Sequence, residues 1–570
     1  MLRLMLPIVS AEQMRRLDAD TISRVGVPGA VLMESAGRGV VEVLWRLHSD
    51  GEIDLHQARI VILAGPGNNG GDGFVIARYL HQRGLCLRLY LCAERSRVRG
   101  DALLHLQAAQ AAGVSIQDCP SEAEASQLAA HLQQLGSRDL IVDALFGTGL
   151  NKTLRGHLAQ LVHSANASGA RRLAVDLPSG MDADRGLPAD AEDDPAPAIV
   201  RADDTVTFGF PKLGLMGSPG FPWAGRVYLI DIGIPEPAPH EPALRCRLLD
   251  ARCLLRLAQK RPPLGHKGSH GHLLIIAGSV GKTGAALLCT RAALRTGVGL
   301  CTLAAPAAVV EHALSGQVLE AMSLPYALPA AEDTPAVDNP LIRQWLQAAQ
   351  GKQAIAAGPG LPQGPQVRQA LIALIENGTA PMVLDADALN QVVGEDALLL
   401  RARQRGRDLV LTPHPGEAAR LLGTTVRQVQ ADRYGSARRL CQRTGAIVVL
   451  KGARTIVVAP APMAEGPTPP PESLPLSLCP TGNAGMGTGG MGDVLTGILG
   501  ALLTAGWPAY DAACAAVYWH GLAGDCLAAQ RAPGSLLCAG DLIESLDAAR
   551  SQAVAECLQP AAPTWPLRRL

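Results

Sequence analysis

Apolar residues in this chain fall into short, nearly continuous runs, each closed by a polar or glycine-rich turn. In the first 235 residues the runs are RIVILAG, LRLYLCAE, LIVDALFG, RLAVDLPSG, DTVTFGF and VYLIDIG. They are rich in β-branched residues and leucine and show little polar alternation, which predicts strands covered on both faces. Several intervals between them are long enough for helical crossovers, so the pattern predicts an α/β fold with a doubly wound parallel sheet. Upstream, Ser10 and Gln13 have capping-box spacing before an amphipathic run, which predicts a helix start.

The tract PEPAPHEPA interrupts this rhythm with repeated proline and reads as a semi-rigid linker, placed at 236–254. The pattern then resumes with LLIIAG, VGLCTLAAP, QAIAAGPGL, PMVLDADAL, DLVLTPHPGE and AIVVLKGARTIVVAP. A second α/β domain is expected over 255–570, with no sequence copy of the first at 1–235. Two proline-rich tracts, near residue 190 and at 460–475, read as exposed loops.

Length supports this division, because 570 residues exceed what one core accommodates. Aromatic residues make up only 3%, so both cores must be built from Ala, Leu, Val and Ile. Lys+Arg and Asp+Glu balance at 51 each, leaving no basic field for nucleic acid or an anionic membrane. Small molecules are the expected partners. Thirteen cysteines occur without a C-x-x-C pair or zinc spacing, which fits a reducing compartment. No apolar run has the length of a signal peptide or a membrane span, so a cytoplasmic protein is expected.

The turn GSVGKT, Gly278–Thr283, imitates a phosphate-binding P-loop but lacks its spacing, and its Gly-Lys-Thr is read as coincidental. In the first domain, Gly65, Gly67 and Gly70 of AGPGNNGGDG formally satisfy G-x-G-x-x-G, yet the Asn pair is unusual for a hydride-transfer site. Asp143 and Asp176 each close an apolar strand, where ligand crevices of such sheets lie. GTGLNKT adds backbone N–H groups for a phosphate. Asn69, Asp143 and Ser179 offer hard oxygens with one negative charge, which suits a monovalent cation. In the second domain, TGNAGMGTGGMGDVLTGILGALL sets six glycines before a long apolar helix, an anion site in which Asp493 can take a proton from an attacking hydroxyl. His414 stands between two prolines, Glu417 suits a cap for that loop, and Asp385 and Asp387 either position Mg²⁺ or close a strand end.

AGPGNNGGDG, VDALFGTG and DLPSGMDAD, with AEQMRRLD and LMESAGRGV upstream, resemble the NAD(P)H-hydrate epimerases across residues 10–235. The resemblance implies a Rossmann-like domain in which Asn68, Asn69, Gly70, Gly71, Asp72, Gly147, Thr148, Gly149, Leu150, Asn151, Lys152 and Thr153 contact the hydrated cofactor. It makes Asp176 the acid–base residue, assigns potassium to Asn69, Asp143 and Ser179, and leaves Lys152 to assist proton transfer. The second glycine loop resembles that of ribokinase-like kinases. GHKGSHGHLLIIAGS, AAGPGL, LDADALN, LTPHPGEAARL and LKGART narrow the branch to ADP-dependent NAD(P)H-hydrate dehydratases, over 255–550. On that resemblance Ala285, Gly360, His414 and Asp493 contact the hydrate, and Lys451, Gly452, Ala453, Arg454, Thr455 and Gly492 hold ADP or AMP. Asp493 is then the catalytic base, with Mg²⁺ accompanying ADP. A homo-oligomer is expected, though no residue pattern reads it out.

Two other functions fit some of these features. One is a ribokinase-like kinase for a pyrimidine or vitamin alcohol, which a stable phosphorylated product would reveal. The other makes the first domain a non-catalytic dinucleotide sensor. The paired carboxylates Asp143 and Asp176 argue against it, since a sensor needs none.

Overall fold

The computed structural model describes residues 5–191, 194–235, 244–259, 262–314, 318–328, 339–462, 470–558 and 567–569. The chain forms two compact units, one of residues 7–244 with 561–570, the other of 1–6 with 245–560. The tract 236–243, expected as linker, and residues 463–469, expected as part of an exposed loop, lie outside the described residues.

In the first unit, the expected runs become β1 (Ile60–Ala64), β2 (Leu87–Leu91), β4 (Leu140–Ala144), β5 (Arg171–Val175), β6 (Asp204–Phe208) and β7 (Arg226–Ile230), with a short β3 (Ile116–Asp118) besides. The C-terminal strand Leu567–Arg569, β18, adds antiparallel to β7. The order β18-β7-β6-β5-β4-β1-β2-β3 reverses between β4 and β1, both parallel neighbours. Alternate residues of β1 enter two separate cores: Ile60 and Ile62 join one, Val61 and Leu63 the other. Both faces are thus covered, which explains the unbroken apolar runs. The helix Ala11–Asp20 starts with the expected capping box, Ser10 Oγ accepting from Gln13 N while the Gln13 amide oxygen accepts from Ser10 N.

The second unit holds β9 (His272–Ile276), β10 (Leu300–Pro306), β11 (Met322–Tyr326), β12 (Ala354–Ala357), β13 (Met382–Leu384), β14 (Leu409–Leu411), β15 (Ile447–Leu450), β16 (Ile456–Val458) and β17 (Leu476–Leu478). Its remaining strand is β8 (Cys246–Leu248), and the order is β11-β10-β9-β12-β13-β14-β15-β16-β17-β8. From β11 to β15 the sheet is parallel, and β15, β16 and β17 are joined antiparallel. The glycine-capped helix Met491–Thr504 packs its apolar length into the core beneath the sheet.

One expectation is corrected. Residues 245–254 are not linker: β8 pairs parallel with β17, Leu248 N donates to Leu6 O, and Ala251–Ala258 form a 3₁₀ helix. The segment Cys246–Leu248, with an arginine at its centre and on its N-terminal side, carries too little apolar pattern to read, and only its pairing with a segment about 230 residues later reveals it. Among the described residues no helix is long and apolar enough to cross a membrane.

Candidate active sites

The first site lies at the carboxyl ends of β1, β4, β5 and β6, where the strand order reverses. After β1 the backbone turns sharply into the helix Asn68–Gln82. The turn requires its glycines, since a Cβ at Gly65 would collide with the Leu145 carbonyl and one at Gly70 with the Gly65 carbonyl. Asn69 is buried, and its amide oxygen and nitrogen have no hydrogen-bond partner. From β4, Asp143 is fully buried, with Oδ1 accepting from Ser179 Oγ at 2.6 Å and Oδ2 from Ser179 N at 2.7 Å. Burial pushes this carboxyl up to about 6, against the opposing bonds from Ser179 and Leu145.

Asp176 follows β5 with φ of 64°, a left-handed conformation costing an ordinary residue about 1–3 kcal/mol. Its Oδ1 accepts from Lys212 Nζ at 2.5 Å and from Thr207 Oγ1 at 3.1 Å. A Cβ at Gly147 would lie 3.3 Å from both Asp176 Oδ2 and Asn69 Oδ1, so these three expected residues border one space. Two further carboxyls share this electrostatic neighbourhood. Burial holds Asp72 well above the usual carboxylate range, Asp176 adding and Lys212 opposing. Burial likewise raises Asp18 to about 6, with Lys212 opposing and Asp176 adding. Asn151 and Lys152 are exposed, and Thr153 is tied through its N–H and hydroxyl to Asp190 rather than to Asp176.

Sequence reasoning missed Lys212 and Asp18 as site residues. Lys212 had a legible signal: a single ammonium inside the otherwise apolar FGFPKLGLM must find a partner if that stretch is buried. Asp18 had none beyond its place in AEQMRRLD.

The second site gathers at the carboxyl ends of β9, β12, β13, β14 and β15, beside the glycine loop. Gly490, with φ of 87°, starts the helix Met491–Thr504 and makes no side-chain cap, leaving the first-turn N–H groups without intrahelical acceptors. Asp493 stands in that first turn. Burial first, then the Asp385 charge, push it up to about 7; Lys451 pulls the other way and Asp387 adds to the rise. Asp385 is itself 1% exposed, with Oδ1 accepting from Lys451 Nζ at 2.6 Å and Oδ2 from Thr496 Oγ1 at 2.7 Å. Burial works to lower the Lys451 pKa, but Asp385, Glu417 and Asp493 outweigh it and hold the ammonium above its ordinary value. A Cβ at Gly492 would lie 3.2 Å from Lys451 Nζ, so this glycine admits the ammonium.

His414 caps the helix Pro415–Leu422: its Nδ1 accepts from Gly416 N, while Glu417 Oε2 accepts from His414 N at 2.8 Å. With Nδ1 accepting, Nε2 carries the ring proton and lies 3.4 Å from Glu417 Oε1. Glu417 thus orients the loop. Ala285 and Gly360 adjoin each other, a Cβ at Gly360 lying 3.2 Å from that of Ala285. In GSVGKT, Lys282 Nζ donates to Asp387 Oδ2 at 2.9 Å. Asp387 Oδ1 accepts from Gln363, so both oxygens of Asp387, like those of Asp385, are engaged by side chains. The turn Lys451–Thr455 joins β15 to β16, with Gly452 at φ 133°, Arg454 Nη1 donating to Pro480 O and Thr455 Oγ1 to Gly452 O. His520 reaches the same helix start, its Nε2 3.0 Å from Met491 O, and burial lowers its pKa to about 4, leaving it neutral.

Comparison with known proteins separates the same two halves. Residues 29–214 match the model of the YjeF-related protein N-terminus, and 273–546 match that of NAD(P)H-hydrate dehydratase. The chain is 39% identical to the bifunctional NAD(P)H-hydrate repair enzyme Nnr of Moorella thermoacetica over 95% of this chain and 96% of that one. It is 34% identical to the enzyme of the same name from Escherichia coli K12, over 94% and 92%. Among solved structures, the ADP/ATP-dependent NAD(P)H-hydrate dehydratase of Bacillus subtilis, co-crystallised with ATP and Mg²⁺, is 27% identical; it covers 54% of this chain and 98% of its own, with a TM-score of 0.42. Two matched halves in one chain, each with a built polar site, and identity extending over nearly the whole length lead to one conclusion: the chain belongs to the bifunctional NAD(P)H-hydrate repair enzymes.

Proposed function

We propose that the Asp176 half interconverts the R and S forms of hydrated NADH or NADPH, and that the Asp493 half dehydrates the S form at the expense of ADP. The observation that carries the second step is Asp493: a carboxyl titrating near 7 in the first turn of a glycine-capped helix, with the Lys451 ammonium beside it. Such a group exists in useful amounts both as base and as acid near neutral pH. It takes the proton of the C6 hydroxyl as that oxygen attacks the terminal phosphoryl of ADP, and AMP leaves. The C6–O bond of the phosphate ester then breaks with loss of a proton from the adjacent ring carbon. The ring double bond returns and inorganic phosphate departs.

The helix N-terminus and Gly482–Gly492 loop take the transferred negative charge. Lys451, Gly452, Ala453, Arg454, Thr455 and Gly492 are assigned to the adenine nucleotide, and Ala285, Gly360 and His414 to the hydrate. In the epimerase half, Asn68–Asp72 and Gly147–Thr153 receive the hydrate's phosphates and ring.

An orphaned buried amide at Asn69, with the buried carboxylate Asp143 and the Ser179 hydroxyl, fits a monovalent cation. Potassium held there would supply positive charge beside the Gly147 loop. Among the described residues no cluster of three or more carboxylate, His or Cys side chains is placed to bind a metal, and Asp385 and Asp387 are engaged. Magnesium is therefore assigned to the phosphates of ADP itself. A cytoplasmic setting suits thirteen cysteines that are all free thiols.

The test is recovery of the dihydronicotinamide absorbance from mixed R and S hydrate, with ADP and Mg²⁺, while AMP and phosphate are quantified. Full recovery with one AMP per NAD(P)H supports both steps. Recovery limited to the S fraction, after subtraction of spontaneous epimerisation, removes the epimerase assignment. A lasting phosphorylated product removes the dehydratase assignment.

A further inference from the structure

Lys212 is 1% exposed, and its ammonium donates to three acceptors: Asp176 Oδ1 at 2.5 Å, Thr207 Oγ1 at 3.0 Å and Phe208 O at 3.1 Å. All three ammonium hydrogens are therefore placed. Its backbone is clamped as well, since Val9 N donates to Pro211 O and Leu213 N to Val9 O. Thr207 Oγ1 adds a second bond to the same carboxylate oxygen of Asp176. Two donors on Oδ1 stop the carboxylate from rotating and leave Oδ2 for another partner. That oxygen is the one facing Gly147 and the Asn69 amide.

Charge points the same way. Asp18, Asp72 and Asp176 surround one ammonium, and burial holds Asp18 and Asp72 toward their protonated forms. Of the three, Asp176 is the carboxyl in ion-pair contact with Lys212. We infer that Lys212 is a positioning residue of the epimerisation: with Thr207 it holds Oδ1 of Asp176 and presents Oδ2 to the hydrate. This inference rests on the acid–base role proposed for Asp176. As Oδ2 takes the C6 hydroxyl proton, the oxygen forms C6=O and the C6–N1 bond breaks, its electron pair going to N1; N1 then adds to the other face of that carbonyl, re-forming C6–N1, and Oδ2 returns the proton to the oxygen, so the step is balanced.

The experiment uses the full chain as wild type, Lys212→Met, Lys212→Arg and Thr207→Val. Conversion of R to S hydrate is followed by chromatography without ADP, which silences the dehydratase. Dehydration of S hydrate with ADP serves as an internal control, and a thermal melt reports folding of both halves. Misplacing a catalytic group by an ångström costs about 100-fold in rate. Lys212→Met is expected to lose about that much in epimerisation kcat, with KM within about threefold and dehydration unchanged. Lys212→Arg should restore part of kcat. Unchanged kcat in Lys212→Met, or loss expressed in KM alone, overturns the inference. If Lys212→Met unfolds the first half, Thr207→Val decides: it keeps the ammonium and removes one Oδ1 donor, so kcat must fall while KM holds, and an unaltered kcat overturns the inference. Absence of epimerisation in the wild type would instead overturn the assignment of Asp176.

Discussion

Lowering the pH should switch off the dehydratase far above the range in which an ordinary aspartate titrates. Asp493 is held at about 7 rather than 3.8. As the base, it must be ionised, and its ionised fraction is about 0.9 at pH 8, about 0.5 at pH 7 and about 0.1 at pH 6. The turnover of S hydrate at saturating ADP should therefore fall about tenfold from pH 8 to 6, whereas a base at 3.8 would leave it flat. The titration of ADP's own phosphate is a competing cause, and the neighbours of Asp493 separate the two. Asp385 raises the carboxyl and Lys451 lowers it. Asp385→Asn should therefore move the acid limb to lower pH, and Lys451→Met to higher pH. An ADP-borne limb would stay put in both variants. A flat profile between pH 6 and 8, or displacement of the limb in the same direction by both variants, refutes the reasoning. Stability carries the same signature with its own sign. The folded value lies above the unfolded one, so the contribution of protonated Asp493 is complete below about pH 4 and disappears as pH rises through 7. The difference of about three pH units corresponds to about 4 kcal/mol as an upper bound. Asp493→Asn should thus abolish dehydration yet unfold at higher temperature than wild type at pH 8.

The other expectations are simpler to test. Asp176→Asn should abolish epimerisation while hydrate binding, measured by calorimetry, persists; unchanged epimerisation removes Asp176 from the chemistry. Exchange of potassium for tetramethylammonium, whose methyl groups keep oxygen ligands from its charge, should reduce epimerisation and leave dehydration of S hydrate unaltered. Gly65→Ala brings a methyl group into the Leu145 carbonyl, and overpacking of that kind costs about 1–3 kcal/mol or more, so the first unit should melt earlier. His414→Ala removes the side-chain acceptor from the helix Pro415–Leu422, a loss of about 1 kcal/mol, and hydrate affinity should fall beyond what that loosening explains.

Much of this molecule is local and was legible as such. The runs that became β1, β4, β9 and β15 are apolar on both sides because both faces of each sheet are covered, and burial of that kind is written residue by residue. The Ser10–Gln13 capping box and the glycine loop that opens the helix Met491–Thr504 are likewise contained within a few consecutive residues. So are the candidate aspartates Asp143, Asp176 and Asp493, whose positions follow from strand or helix ends. The three-residue strands β3 and β8 were not legible, because each exists only through its pairing partner. Nor was the electrostatic state of either site. Lys212 stands 36 residues from Asp176, and Asp385 is joined to Lys451 and Thr496 across 66 and 111 residues. Whether a carboxyl is charged depends on how much water it has lost and which ammonium lies within a few ångströms. Those quantities are properties of the folded space around a residue, so the chain's order named the aspartates and the tertiary structure alone decided which groups surround each of them.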